Sequence, residues 1–255
     1  MITDTEGVVL RQIKAAYGRR MVLLFSKKYG KISAGSSISE KGRSRAALAM
    51  RPFTYGRYEL FKNRDSYNVN SAEVIKSYYK IGEDVDKYMN SSYVLEFTEK
   101  VLPEGQPSQA MFNLILDFFS VMEERKKSHG TLVLGYEIKT LKIMGVMPNL
   151  KECALCGKKC TEEHAPLFFS IKEGGVICGD CGRNLEIPSN DTLIYPINFG
   201  IVDILKYFAD HSLKNFENLA LNEKVRSQLQ TMIRQYAAYY LEIGELKSES
   251  FLTEY

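Results

Sequence analysis

Short apolar runs rich in β-branched residues alternate with glycine-bearing polar turns over the first third of the chain. Residues 7–35 read GVVLRQIKAAYGRRMVLLFSKKYGKISAG. The pieces GVVLRQI, MVLLFS and KISAG are split by GRR and KKYGK, which is the punctuation of a β-meander. A loop and short helix, SEKGRSRAALAM, lead to two more strand-like runs, PFTYGRYELFK and DSYNV. Five strands with one short helix in about 70 residues predict a small closed barrel. Phe25 and Phe61, amid apolar neighbours, are expected in its core.

From Ser71 the pattern changes to a helical period, with Val74, Ile75, Tyr78 and Tyr79 followed by Val85, Tyr88 and Met89. It continues through Tyr93–Leu102 until PEGQP ends it. Ser108 caps a helix carrying Met111, Phe112, Ile115, Leu116, Phe119 and Met122. Another helix is predicted over Thr131–Met144, with Gly145 as its C-cap, and two more near 198–210 and 222–243. The predicted fold class is therefore α+β and multidomain. Residues 1–70 form a barrel, for which the OB-fold is the commonest nucleic-acid-binding type. Residues 71–147 and 188–247 form an all-α domain, and residues 148–187 a zinc-ribbon-like insert.

That insert holds every cysteine of the 255-residue chain. Cys153-x-x-Cys156 and Cys178-x-x-Cys181 stand 21 residues apart, and each two-residue gap lets both sulfurs face one tetrahedral ion. Gly157 and Gly182 follow the second cysteine of each pair, where positive φ would turn backbone amides toward the thiolates. PLFFSIKEGGVIC reads as a hairpin turning at KEGG, which sets the second pair opposite the first. The expected cofactor is one structural Zn²⁺ on these four thiolates. Cys160 either stands in for a ligand or remains a free thiol.

Nothing at the N-terminus has the basic and apolar regions of a secretory signal, and no run is long and apolar enough for a membrane span. A reducing cytoplasm is therefore expected, where such cysteines bind metal rather than form disulfides. No phosphate-cradling G-x-x-x-x-G-K-[ST] loop or G-x-S-x-G elbow occurs, and His129, His164 and His211 sit in polar or loop-like contexts. These absences argue against an enzyme, and no catalytic residues are assigned.

Charge is unevenly spread. Residues 1–80 hold 16 Lys/Arg against 6 Asp/Glu, a balance of +10, while the rest holds 18 against 25, giving +3 overall. A basic first third on an acidic remainder points to a polyanionic partner. Arg11, Lys14, Arg19, Arg20, Lys27, Lys28, Lys31, Lys41, Arg43, Arg45 and Arg51, with Tyr29 and Tyr55 among them, are the candidate DNA-binding set. Single-strand binders combine such a cationic track with aromatic platforms for bases. The alternative is a zinc-ribbon transcription or translation factor that touches RNA or polymerase. It would require a basic ribbon, and acidic neighbours balance Lys158, Lys159, Lys172 and Arg183.

The order of parts resembles the RecO family of bacterial recombination mediators over nearly the whole chain. The stretches that carry the resemblance are GVVLRQIKAAYGRRMVLLFSKKYGKIS, RPFTYGRYELF, VLPEGQP, YEIKTLKIMGVMPNLKECALCG and YLEIGELKSESFL. One departure is SEKGRSR before RSRAALAM, where relatives carry a fuller basic run, so the DNA path through Lys41, Arg43 and Arg45 is open. The resemblance implies a non-enzymatic, cytoplasmic, nucleoid-associated repair protein that binds single- and double-stranded DNA and anneals complementary strands. It implies RecR and the C-terminal tail of single-stranded-DNA-binding protein as partners, RecA as an indirect one, and zinc on Cys153, Cys156, Cys178 and Cys181.

Overall fold

The computed structural model describes residues 1–14, 20–38, 44–64, 66–160, 166–184, 193–216 and 219–252, and within them all side chains except those of Lys14, Phe251 and Leu252. The chain divides into two compact units, one of residues 1–129 with 245–255 and the other of residues 130–244.

In the first unit five strands close into a barrel: β1 (Ile2–Lys14), β2 (Arg20–Ser26), β3 (Gly30–Ser36), β4 (Thr54–Lys62) and β5 (Tyr67–Ser77), in the order β1-β2-β3-β5-β4. Only the β3–β5 pairing is parallel. β1 is long enough to pair with β4 through its first half and with β2 through its second, with a bulge between Val9 and Arg11 where it bends. Val9, Val22, Leu24, Ile32, Ala34, Tyr58, Leu60 and Val69 fill the interior. The helix α1 (Arg45–Ala49) packs Ala49 onto that core, and Ser44 caps it by accepting from the Ala47 amide at 3.1 Å.

Two expectations fail here. Residues 71–77 are strand rather than helix, paired with β4, and β5 carries two bulges, at Asn70 and Ile75. Each inserts a residue and breaks the two-residue alternation, so buried Val69 and Ala72 fall three apart, while Ile75, read with Val74 as part of one apolar helical face, is exposed. Phe61 is 43% exposed, since Tyr58 and Leu60 take the inward positions. It faces outward opposite Ile2, itself 61% exposed. Phe25 is buried, as expected, against Phe112 with ring centroids 5.3 Å apart.

The helices α2 (Val85–Val101) and α3 (Gln109–Glu124) belong to the same unit. Asp84 and Ser108 cap them by accepting from the Lys87 and Met111 amides. Phe53, Tyr55 and Tyr78 of the barrel side meet Phe112 and Phe119 of α3 at centroid separations of 5.4–6.0 Å. Gly30 has φ +69°, and a Cβ there would lie 2.2 Å from the Gln106 carbonyl oxygen, so the β2–β3 turn docks on the PEGQP turn only as glycine.

The second unit contains α4 (His129–Ile143) from Gly130 onward, α6 (Phe199–Asp210) and α7 (Glu223–Tyr240). Gly145, at φ +78°, ends α4, and the Val146 amide returns to the Leu141 carbonyl at 2.9 Å. A small antiparallel sheet in the order β7-β6-β8 is formed by β6 (Leu167–Ser170), β7 (Gly175–Cys178) and β8 (Ile194–Ile197), and a short helix α5 (Gly179–Asn184) follows β7. The β6–β7 hairpin turns at the predicted KEGG; β8 has no counterpart in the sequence reading. Among the described residues no helix is long and apolar enough to cross a membrane.

Candidate metal centre and candidate nucleic-acid interface

The first cysteine pair sits on a tight turn. The Cys153 amide donates to the Lys158 carbonyl at 2.8 Å and the Gly157 amide to the Cys153 carbonyl at 2.9 Å. Gly157 has φ +71°, the left-handed conformation expected of it. Gly182 is different. It lies inside α5, and an added Cβ would stand 2.3 Å from the Phe168 ring, so close packing rather than positive φ requires glycine. Cys178 closes β7 and Cys181 lies on α5, so the second pair is carried by a strand end and a helix instead of a second β-turn.

Together these elements bring Cys153, Cys156, Cys178 and Cys181 within 4.8 Å of one another at sulfur. The Cys156 and Cys178 sulfurs are 3.8 Å apart. That separation is far beyond a disulfide of about 2.05 Å. It equals the edge of a tetrahedron built on metal–sulfur bonds of about 2.3 Å, which is about 3.8 Å. The donor set and its spacing therefore fit a closed tetrahedral dication site. Burial pushes the Cys153 thiol up, but amide donors from Cys178, Cys156 and Leu155 outweigh it and bring the thiol down to about 6. The Cys181 thiol is pushed up, first by burial and then by hydrogen bonds to the neighbouring sulfurs. Cys160 packs beside the cluster without joining it, and burial and the nearby sulfurs raise its thiol to about 11.

Several of the described candidate DNA-binding residues are engaged by groups within the protein. Arg19, Lys41 and Arg43 lie outside the described residues. Arg11 pairs with Glu99 of α2 at 2.7 Å, and the Lys31 ammonium donates to the Glu99 carbonyl at 2.7 Å. Glu6 accepts from Lys27 at 2.8 Å and from the Tyr55 hydroxyl at 2.6 Å. Those two donors hold the Glu6 carboxyl below its ordinary range, while burial and then Glu6 push the Tyr55 hydroxyl up to about 12. Lys14 and Arg20 are backbone partners at the far end of the β1–β2 pair. Arg45 opens α1, and Arg51 is exposed just beyond it.

Lys28 and Tyr29 are brought together at one mouth of the barrel with residues that the sequence reading did not select. Tyr29 and Tyr67 lie 5.6 Å apart at their ring centroids, packed on the barrel core. The Lys62 ammonium stands 5.6 and 5.5 Å from the two centroids, and that of Lys28 5.3 Å from Tyr29. The Tyr29 hydroxyl shares a hydrogen bond with Thr3 at 2.6 Å. Buried Ser26 accepts from the Lys28 and Tyr29 amides at 3.2 and 2.9 Å, which fixes the turn. Only the signature of aromatics beside lysines, as in SKKYGK and LFKNRDSY, marked these positions in the sequence.

Comparison with known proteins finds two family models, one over the barrel and one over the helices and cysteine insert that follow. A family model described as "Recombination protein O N terminal" matches residues 1–78, and one described as "Recombination protein O C terminal" matches residues 82–250. The chain belongs to the recombination protein O family. Among curated members of that family, a protein named "DNA repair protein RecO" from Alkaliphilus metalliredigens is 30% identical, over 95% of this chain and 95% of its own length. The RecO of Pelotomaculum thermopropionicum is also 30% identical, over 98% of this chain and 93% of its own. That of Thermoanaerobacter sp. (strain X514) is 26% identical, over 98% and 97%. This is a family of DNA repair and recombination proteins, and the chain spans nearly the full length of these members.

Proposed function

We propose that the protein binds DNA through its N-terminal barrel and anneals complementary strands without nucleotide hydrolysis. With RecR it promotes RecA loading onto single-stranded DNA coated by single-stranded-DNA-binding protein, whose acidic C-terminal tail it contacts. It works in the cytoplasm, at the nucleoid. The observation that carries this reading is a closed barrel of order β1-β2-β3-β5-β4 in the basic part of a recombination protein O chain. That strand order supports an OB-fold, which binds oligonucleotides across its barrel face. Annealing requires two phosphate backbones to approach, and cations that release condensed counterions lower the cost of that approach. Arg20, on the barrel strand β2, supplies positive charge for a bound phosphate. Arg19, Lys41, Arg43, Arg45 and Arg51 extend the basic track in the sequence.

In the same reading, Cys153, Cys156, Cys178 and Cys181 hold one structural Zn²⁺. Four thiolates leave no open position for substrate, so the ion braces the β6–β7 hairpin and takes no part in chemistry. Mixing the protein with complementary oligonucleotides in the absence of ATP tests the function. Faster annealing is expected, and it weakens together with DNA affinity in Arg20→Glu. An unchanged annealing rate at low salt overturns the reading.

A further inference from the structure

We propose that the barrel mouth formed by Tyr29, Tyr67, Lys28 and Lys62 is a stacking subsite for an unpaired nucleobase, with the two ammonium groups taking the adjoining phosphates. The proposal rests on the DNA-binding reading and assigns it a place and a strand preference.

Alternation along the strands explains why these side chains meet. Tyr67 shares the inward register of buried Val69, and Lys62 that of buried Leu60 and Tyr58. Thr3, likewise buried, precedes Thr5 on the same face of β1. At the end of the barrel these inward positions run out of core and surround its opening, a common place for ligands. The two half-buried tyrosines pack against the apolar interior, and Lys62 stands over both rings.

The chemistry selects the ligand. Neither Lys28 nor Lys62 has a carboxylate partner among the described residues, and exposed Arg64 lies two positions beyond Lys62. The α-amino group of Met1, donating to the Lys62 carbonyl at 3.1 Å, adds positive charge to the same end. An anion is thus wanted beside two π-faces. A carboxylate peptide answers the cations and leaves the rings unused, whereas a nucleotide answers both. Bases in a duplex have both faces covered by their neighbours, so only an unpaired base reaches the rings. The lysine–ring contacts are exposed and weak, and they exchange readily for a base. Orientation is set in advance, because Thr3 holds the Tyr29 hydroxyl while Ser26 and Thr5 hold the turn by hydrogen bonds. The Tyr29 hydroxyl is also held below its ordinary value, first by its bond to Thr3 and then by Lys28 and Lys62, consistent with positive potential at the mouth.

The chain contains no tryptophan, so Tyr67→Trp places a single indole at the subsite. With the full-length protein, anisotropy of a labelled oligothymidylate reports binding while indole fluorescence reports stacking. The expected result is indole quenching that saturates with binding, and about 5- to 100-fold weaker binding of an abasic oligonucleotide of equal length by the wild type. Tyr67→Leu and Tyr29→Leu should collapse that difference, and Tyr67→Phe, which keeps the ring, should retain it. Binding without quenching, with equal affinity for the abasic strand, overturns the subsite and leaves DNA binding standing. Quenching by an acidic peptide but not by oligothymidylate also overturns it. Absence of binding to any oligonucleotide removes the DNA reading and the subsite with it.

Discussion

The salt dependence of DNA binding distinguishes the cations that the fold has already neutralised from those it leaves available. Among the described residues Arg20, Lys28, Arg45, Lys62 and Arg64 stand in no ion pair, whereas Arg11 and Lys27 face carboxylates at 2.7 and 2.8 Å. Each phosphate neutralised on a single strand contributes about −0.7 to the slope of log affinity against log salt, so five contacts give about −3.5. Removing one changes the slope by about 0.7 and, one decade below 1 M salt, weakens binding about fivefold. The prediction is that Lys28→Gln and Lys62→Gln each flatten the slope by about this amount. Arg11→Gln and Lys27→Gln leave it nearly unchanged, because a cation beside Glu99 or Glu6 has little net charge with which to displace counterions. Anisotropy of labelled oligothymidylate titrated between 50 and 300 mM NaCl measures all four. Equal flattening by the two groups of variants would refute the assignment of free and engaged cations.

Three further outcomes follow from contacts elsewhere. Glu137 of α4 is fully buried and lies 3.5 Å from Arg234 of α7, whose side chain is 12% exposed. Replacing either by methionine should cost about 3–5 kcal/mol in urea unfolding, while replacing both should be near neutral; an additive double variant would disprove the pairing. Glu96 accepts from the Lys247 amide at 3.1 Å, the Ser248 amide at 2.8 Å and the Ser248 hydroxyl. Glu96→Gln should speed exchange of those two amides roughly tenfold. Burial raises the Glu96 carboxyl, but those donors outweigh it and hold it below 4.5, so its contribution is present above pH 4.5 and fades as pH falls through the lower folded value. If the four thiolates hold zinc as proposed, metal analysis of the wild type should find one zinc per chain, and Cys156→Ser or a strong chelator should abolish it and accelerate amide exchange over residues 151–160, with barrel amides unaffected; zinc retained by the variant would exclude this ligand set.

Local signals carried much of the fold in the sequence. Ser108 capped its helix and Gly145 ended another because capping needs only neighbouring residues. The cysteine spacing located the four-sulfur cluster because two-residue gaps and one hairpin suffice to gather four sulfurs. Tertiary structure decided the rest. Bulges at Asn70 and Ile75, fixed by pairing with β4, moved each following side chain to the other face and disguised a strand as a helix. The choice of which face of β4 met the core turned Phe61 outward, and the Phe168 ring, not backbone conformation, required Gly182. Charge gave the sign of the first third, yet whether a lysine is spent on Glu6 or stands over Tyr67 depends on strands that meet only after the barrel closes. Composition and period act along the chain, whereas register, burial and ion pairing are set between segments distant in sequence.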